Sequence, residues 1–235
     1  MKPLITTGRL STRMDAAEVE QLLARVAPYV PTAADWRHPD IELEIGMGNG
    51  LAMLERAKAA PERLFVGSEM YLNGLQSCLA AMAEQQDAPT NLRLTAEDAR
   101  ELMEAIPDGC LSRILVPFPD PWPKAKHHKR RIVQSALLDA AARTLKDGGE
   151  LWVVTDWPSY AYHSLAVIFG HPAFVLEGTG HAAADCKPSA RLEEQLGPHH
   201  LATAPAWWVE TKYQDKAKVA GRRPWFIRAV KRALA

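Results

Sequence analysis

The chain has 235 residues, 47% of them hydrophobic, which is enough to bury the core of one large domain. Its 28 acidic and 28 basic residues balance, so the net charge alone says nothing about a nucleic-acid partner. The three scattered cysteines form no CxxC pair, no run approaches ~18 apolar residues, and the N-terminus lacks a signal-peptide core, so we expect a cytoplasmic protein without a membrane span.

Residues 1–39 are predicted to form an N-terminal arm and one helix ahead of the main domain, residues 40–235. The arm carries Arg9 and Arg13 without periodicity. Asp15 and Glu18 have the spacing of a capping box, and apolar residues at helical spacing follow them, which predicts a helix ending near residue 28. Residues 31–39 are predicted to be a linker.

A glycine turn follows the first predicted strand, residues 41–45. Its glycines alternate as Gly46, Gly48 and Gly50, with Glu44 two residues before the first. A dinucleotide fingerprint has the different spacing G-x-G-x-x-G, and a carboxylate at the strand tip disfavours a pyrophosphate. S-adenosylmethionine carries an ammonium and a sulfonium but no phosphate, so the turn favours this ligand over a nicotinamide cofactor. A purely conformational role for the glycines stays open.

Three further predicted strands lead to acids at the edge where open α/β sheets hold their ligands. Glu69 closes residues 64–69 about 20 residues beyond the glycines, the spacing of a carboxylate that binds a ribose diol. Asp98 follows residues 91–94 and either accepts from an adenine amino group or caps the next helix. Asp156 closes residues 150–156 and either caps a helix or contacts substrate.

The most informative stretch is the proline-rich loop of residues 117–124, which follows a predicted buried strand, residues 111–116. Three prolines within five residues stiffen the loop, and it presents one carboxylate, Asp120, beside Trp122. A dense basic run continues from it: Lys124, Lys126, Lys129, Arg130 and Arg131. A fixed acid beside such a run predicts a polyanionic substrate that also needs one hydrogen-bond acceptor. The alternative is a connector followed by a solvated basic helix start.

The C-terminal part is predicted to contain a loop and two strands. Residues 177–206 lack periodicity, and His181, Cys186, His199 and His200 do not have convincing zinc spacing, so we expect no metal site. Residues 207–213 and 224–230 are predicted to be strands around a basic connection.

Four motifs together resemble the bacterial tRNA (guanine-N7)-methyltransferases. They are Leu-Glu-Ile-Gly-Met-Gly-Asn-Gly at 43–50, Phe-Pro-Asp-Pro-Trp-Pro-Lys at 118–124 with His-x-Lys-Arg-Arg at 127–131, Thr-Asp-Trp at 155–157 and Thr-Lys-Tyr at 211–213. The resemblance covers about residues 40 to 230. It implies an α/β class I S-adenosylmethionine-dependent methyltransferase fold, Rossmann-like, with a seven-stranded mixed sheet and helices on both faces. It also implies methylation of N7 of the guanine at position 46 in the tRNA variable loop.

The resemblance and the motifs assign a role to each candidate residue. Methyl-donor contacts are expected from Glu44, Gly46, Gly48, Gly50, Glu69, Asp98 and Asp120. Asp120 is also the expected catalytic residue, and the expected substrate contacts are Lys124, Asp156, Thr211, Lys212, Tyr213 and Gln214. The expected RNA phosphate contacts are Lys126, Lys129, Arg130 and Arg131. Gln214 departs from the family, which usually has glutamate there.

The expected partner is tRNA, with no membrane and no metal, for a monomer or homodimer. Guanine N7 has a free lone pair, so methyl transfer requires orientation and charge rather than proton abstraction at the attacking atom. One rival function is methylation of another base or a small molecule, which mapping of the methylated atom would distinguish. The other is a non-catalytic RNA-binding subunit, which would incorporate no labelled methyl.

Overall fold

The computed structural model describes residues 14–177 and 202–233. The predicted arm with Arg9 and Arg13, most of the predicted loop at 177–206, and the four candidate zinc ligands at positions 181, 186, 199 and 200 lie outside the described residues. No helix within the two described ranges is long and apolar enough to cross a membrane.

The described chain forms seven strands and seven α-helices. The strands are β1 Ile41–Ile45, β2 Leu64–Ser68, β3 Leu92–Thr95, β4 Leu111–Pro117, β5 Leu145–Thr155, β6 Phe174–Leu176 and β7 Trp225–Lys231. The helices are α1 Ala16–Val26, α2 Leu51–Ala59, α3 Leu72–Ala83, α4 Ala99–Ala105, α5 Ser135–Thr144, α6 Pro158–Phe169 and α7 Lys212–Val219. Short 3-10 turns cover Ala27–Tyr29, Asp35–Arg37 and Ala125–Arg130.

One mixed sheet carries the fold, in the order β3-β2-β1-β4-β5-β7-β6. The first five strands in this order run parallel, whereas β7 is antiparallel to both β5 and β6. Helices α4, α5 and α6 share a hydrophobic cluster with one face of the sheet, and α1, α2 and α3 share another cluster with the opposite face. The predicted seven-stranded mixed sheet with helices on both faces is therefore confirmed.

Strand β1 alternates as predicted, but both of its faces are buried. Ile41, Leu43 and Ile45 belong to the cluster that contains α4, α5 and α6. Glu42 and Glu44 point the other way, toward α2, where the guanidinium of Arg56 forms ion pairs with both carboxylates. Buried carboxylates need such partners, because an unpaired charge away from water is strongly destabilising.

The predicted N-terminal helix is confirmed as α1. The Asp15 side chain accepts from the Glu18 backbone N–H at 2.9 Å, and the Glu18 carboxylate accepts from the Asp15 N–H at 2.8 Å, which completes the capping box. Leu22 and Val26 pack in the same cluster as Leu75 of α3. The described part of the N-terminal segment thus shares a core with the predicted main domain.

The strand predicted at residues 207–213 is wrong. Strand β6, at residues 174–176, takes the place of this predicted strand in the seven-stranded sheet. Residues 212–219 form α7 instead, and the Thr211 hydroxyl caps this helix by accepting from the Gln214 N–H. Trp207 and Trp208 pack their rings on the cluster of β4, β5 and β7 rather than forming a ladder. Aromatic residues are common in strands, and for this reason the segment resembles one in sequence, but the Thr211 cap begins a helix here.

Candidate active site

A cavity of about 480 Å³ opens at the carboxyl ends of the central parallel strands. Its lining includes Gly46 and Gly48 after β1, Glu69 after β2, Asp98 before α4, Asp120 after β4 and Tyr213 of α7. The glycine turn and the proline-rich loop therefore face one cavity, although β2, β3 and β4 lie between them in the chain. This volume lies in the range of small-molecule sites.

The glycine turn is a left-handed bend. Gly46, Gly48 and Gly50 have φ values of 75°, 61° and 69°, a region that favours glycine. Gly46 and Gly48 line the cavity, whereas Gly50 forms the N-cap of α2. A Cβ on Gly50 would lie 2.5 Å from the Sγ of Cys78, so Gly50 is required by packing as well as by its backbone conformation.

Glu69 ties the glycine turn to the end of β2. One oxygen of its carboxylate accepts from the Gly48 N–H at 2.8 Å, and the other accepts from the Tyr71 N–H at 2.8 Å. Burial raises the pKa of Glu69, with the neighbouring carboxylates of Glu44 and Asp120 adding to the effect against the two hydrogen bonds. Each oxygen keeps a second lone pair for a ligand hydroxyl.

Asp98 lines the cavity and also caps a helix, so both predicted roles fit its position. Its carboxylate accepts from the Arg100 N–H at 3.0 Å at the start of α4 and from the Arg100 guanidinium at 2.5 and 2.9 Å. Burial opposes ionisation, but these hydrogen bonds and the charge of Arg100 lower the pKa of Asp98. The group is therefore an acceptor at neutral pH.

The proline-rich loop has two residues in left-handed conformations. Phe118 and Trp122 have φ values of 48° and 41°, which are rare for bulky side chains and mark a loop held by its surroundings. Between them, Asp120 stands exposed at the cavity mouth, and it makes no hydrogen bond or ion pair within the described ranges. Partial loss of hydration raises the pKa of Asp120. The loop thus presents a carboxylate that is available to a ligand.

The basic run begins at the same cavity mouth. The Arg130 guanidinium lines the cavity and lies 4.8 Å from the centre of the Trp122 ring. Lys124, Lys126 and Lys129 are exposed around it. The predicted helix start here is a 3-10 turn, and the α-helix begins only at Ser135.

Comparison with known proteins decides the family. A family model described as a putative methyltransferase matches residues 39–225. A tRNA (guanine-N(7)-)-methyltransferase of Rhodospirillum rubrum is 42% identical over 79% of this chain and 65% of that protein, and one of Photobacterium profundum is 36% identical over 79% of each. The chain belongs to the tRNA (guanine-N7)-methyltransferase family. The resemblance of the four sequence motifs is thereby confirmed.

The matches differ in the length that they cover. The chain spans just under two thirds of the Rhodospirillum rubrum relative, but 90% of a Paramagnetospirillum magneticum tRNA (guanine-N(7)-)-methyltransferase that is 33% identical over 96% of this chain. The crystal structure of PH0851 aligns with a TM-score of 0.53 over 89% of this chain and 45% of that one, at 14% identity, a likeness that shows the fold alone. The mixed seven-stranded sheet with helices on both faces agrees with the fold that the motifs implied.

Two acids that the family resemblance assigns to ligands are engaged within the protein. Glu44 does not line the cavity, and its carboxylate is bound by Arg56. Asp156 lies outside the lining and accepts from the Arg222 guanidinium at 2.8 Å. The alternative that Asp156 caps the next helix is wrong, since the N-cap of α6 is Trp157 and no side chain caps it.

The cations of the basic run do not all face solvent, since Arg131 is only 3% exposed. Its Nε donates to the Pro121 carbonyl at 3.0 Å, and its guanidinium lies 5.2 Å from the centre of the Tyr160 ring. Arg131 therefore faces the protein and braces the proline-rich loop, which corrects the expectation that it contacts RNA phosphates. For Lys126, Lys129 and Arg130 the contact with RNA phosphates stays a prediction.

The family segment at 211–214 contributes unequally to the cavity. Lys212 and Tyr213 line it, and the Tyr213 ring lies within 3.3 Å of the position that a Cβ on Gly48 would occupy. Burial, followed by the charges of Glu69 and Asp120, raises the pKa of Tyr213. Thr211 is the cap of α7, and Gln214 is buried outside the lining.

Sequence reasoning missed the polar face that α3 turns toward the cavity. Asn73, Gly74 and Ser77 line it, and a Cβ on Gly74 would lie 2.2 Å from the Gly48 carbonyl oxygen. The sequence signal was a glycine inside a helical pattern with a polar pair four residues apart. No group of three or more potential metal ligands occurs in the described ranges.

Replacing Gly74 with alanine is expected to destabilise the protein by ~1–3 kcal/mol, because the added methyl overlaps the Gly48 carbonyl and must displace the glycine turn. This is opposite in sign to the usual gain of up to ~1 kcal/mol for Gly→Ala within a helix. Urea unfolding measures the change, with Gln76→Ala on the exposed face of α3 as the matched control. A stability gain at position 74 would contradict the close approach.

Proposed function

We propose that this chain transfers the methyl group of S-adenosylmethionine to N7 of a guanine in tRNA, at position 46 of the variable loop. The observation that carries the proposal is the meeting of three features at one cavity: a glycine bend, an unpaired Asp120 on a rigid loop, and exposed cations at the mouth. The names of the relatives support the same reaction.

The cavity fits a cationic, phosphate-free methyl donor. Gly46 and Gly48 let the backbone approach a ligand closely, and the carboxylates of Glu69, Asp98 and Asp120 stand around the space they leave. When bound, S-adenosylmethionine supplies an electrophilic methyl carbon on a positively charged sulfur. In the proposal, Glu69 accepts from the ribose hydroxyls and Asp98 from the adenine amino group. The predicted donor contact of Glu44 rests on the family resemblance.

Asp120 is the proposed contact to the guanine. A carboxylate on the N1–H and N2–H edge accepts two hydrogen bonds, and it stabilises the positive charge that the purine acquires as N7 bonds to the methyl carbon. The N7 lone pair forms that bond as the carbon–sulfur bond breaks, so no proton has to leave N7. Adenine lacks this pair of donors, so it would leave the carboxylate unsatisfied.

Incubation of the purified chain with tRNA and S-adenosylmethionine that carries an isotopic methyl label tests the function. We expect 7-methylguanosine at position 46 after nuclease digestion and mass spectrometry, and no label in a tRNA that has adenine at that position. Label on another base, or in a small molecule only, would overturn the proposal, and the absence of any label would favour the non-catalytic subunit.

The exposed cations are the proposed RNA-binding surface. Changing both Lys126 and Lys129 to alanine removes two charges beside the cavity mouth. We expect weaker tRNA binding and a shallower salt dependence, with the slope reduced by about one for each phosphate that the variant no longer neutralises. Lys58→Ala, an exposed cation at the far end of α2, is the control. A tRNA dissociation constant independent of salt would contradict the assignment.

The pH dependence of methylation reports on Asp120. Because its pKa is raised, protonation sets in at a higher pH than for an ordinary aspartate, so kcat/KM should fall on the acid side within a range that is accessible to the assay. Asp120→Asn should lower kcat by about 10²- to 10³-fold and remove that acid limb. Asp87→Asn, on an exposed loop, should leave both unchanged. Wild-type activity in Asp120→Asn would refute the role.

A further inference from the structure

Gln214 is buried at the first turn of α7, 6% exposed, and both ends of its side-chain amide are occupied. Its Oε1 accepts from the indole Nε1–H of Trp208 at 2.9 Å, and its Nε2 donates to the Glu210 carboxylate at 2.8 Å. Gln214 therefore ties the segment before α7 to the helix and uses one acceptor site and one donor of its amide within the protein.

The residues that Gln214 holds converge on one ring of the proline-rich loop. The rings of Trp208 and Tyr213 each lie 6.3 Å from the ring of Phe118, centre to centre. Trp208 is also anchored to the sheet, with its ring 5.1 Å from that of Phe226 on β7. Two aromatic side chains from the α7 region thus clamp Phe118 against the sheet.

The backbone conformation of Phe118 depends on contacts with residues outside the proline-rich loop. Its φ of 48° is unfavourable for a bulky side chain, so the surrounding contacts must hold it. Its backbone N–H donates to the Val154 carbonyl at 2.7 Å, and Asp120 follows two residues later. Release of the Phe118 ring would therefore free the peptide that aims the Asp120 carboxylate.

We propose that Gln214 is a positioning residue for Asp120: its amide locks Trp208 and the start of α7 so that two rings fix Phe118 and the catalytic loop behind it. The effect that this inference predicts on catalysis rests on the proposed function. The two hydrogen bonds at position 214 need a side chain that both accepts and donates, and an amide does both. A carboxylate accepts from Trp208 but cannot donate to Glu210, and its charge would face a second carboxylate.

The test compares Gln214→Glu with the double variant Gln214→Glu, Glu210→Gln, in which the new glutamine donates to the new carboxylate and restores both bonds. The single variant Glu210→Gln should be nearly neutral, because Gln214 keeps an acceptor there and only the exposed Lys218 ion pair is removed. Gln86→Glu adds the same charge on an exposed loop and is the matched control.

We expect Gln214→Glu to lower kcat for tRNA methylation about tenfold at about pH 8, with a smaller effect on KM for tRNA. The loss should shrink at about pH 6, because two facing carboxylates share a proton that restores the missing donor. The double variant should return to within about threefold of wild type at both pH values. A structural role alone would not produce a pH-dependent, partner-rescued kcat.

Hydrogen exchange gives a readout that is independent of activity. The Phe118 amide, which donates to the Val154 carbonyl, should exchange faster in Gln214→Glu and return to the wild-type rate in the double variant. A loss of melting temperature without faster loop exchange, or without rescue, would overturn the inference. If wild type does not methylate tRNA, the proposed function fails, and the exchange rates alone still decide whether Gln214 positions the loop.

Discussion

The candidate site depends on the pairing of two parallel strands, β1 and β4, which place Leu43 opposite Ile114 in the middle of the sheet. The chain leaves β1, builds the sheet outward through β2 and β3, and then crosses back to the other side of β1. At such a reversal the loops at the carboxyl ends of the two strands diverge and leave a crevice. The glycine bend follows β1 and the proline-rich loop follows β4, so the strand order brings together two loops about 70 residues apart in the chain.

The strand that carries the glycine bend is held by charge as well as by packing. Glu42 is 1% exposed and is bound by Arg56 of α2, Arg63 of the turn before β2 and Arg113 of β4. Burial of this many ions is tolerable only because every charge in the network has a partner in reach, and the loss of one member would leave the others uncompensated. The same network explains why Glu44, at the tip of the strand, is turned toward α2 rather than into the cavity.

Charges of both signs surround the site. The cavity is lined by the carboxylates of Glu69, Asp98 and Asp120 and also by the cations Arg100, Arg130 and Lys212, of which Arg100 is paired with Asp98. Lys124, Lys126 and Lys129 are exposed outside this lining, where they favour a polyanionic ligand. Arg131, another member of the basic run, turns inward and donates to the backbone of the proline-rich loop.

The sequence by itself determined the βα pattern, the glycine bend, the family and the acids at the strand ends, because these depend on local spacing and on residue chemistry. It could not distinguish a true strand from the aromatic segment at 207–213, since both look alike until packing decides between them. Nor could it tell which charged residues are already paired within the protein: Glu44, Asp156 and Arg131 match the motifs as well as Asp120 does, but they are bound by Arg56, Arg222 and the Pro121 carbonyl respectively. Only the tertiary structure supplies those partners, and it alone shows that Gln214 faces inward to two neighbours rather than outward to a substrate.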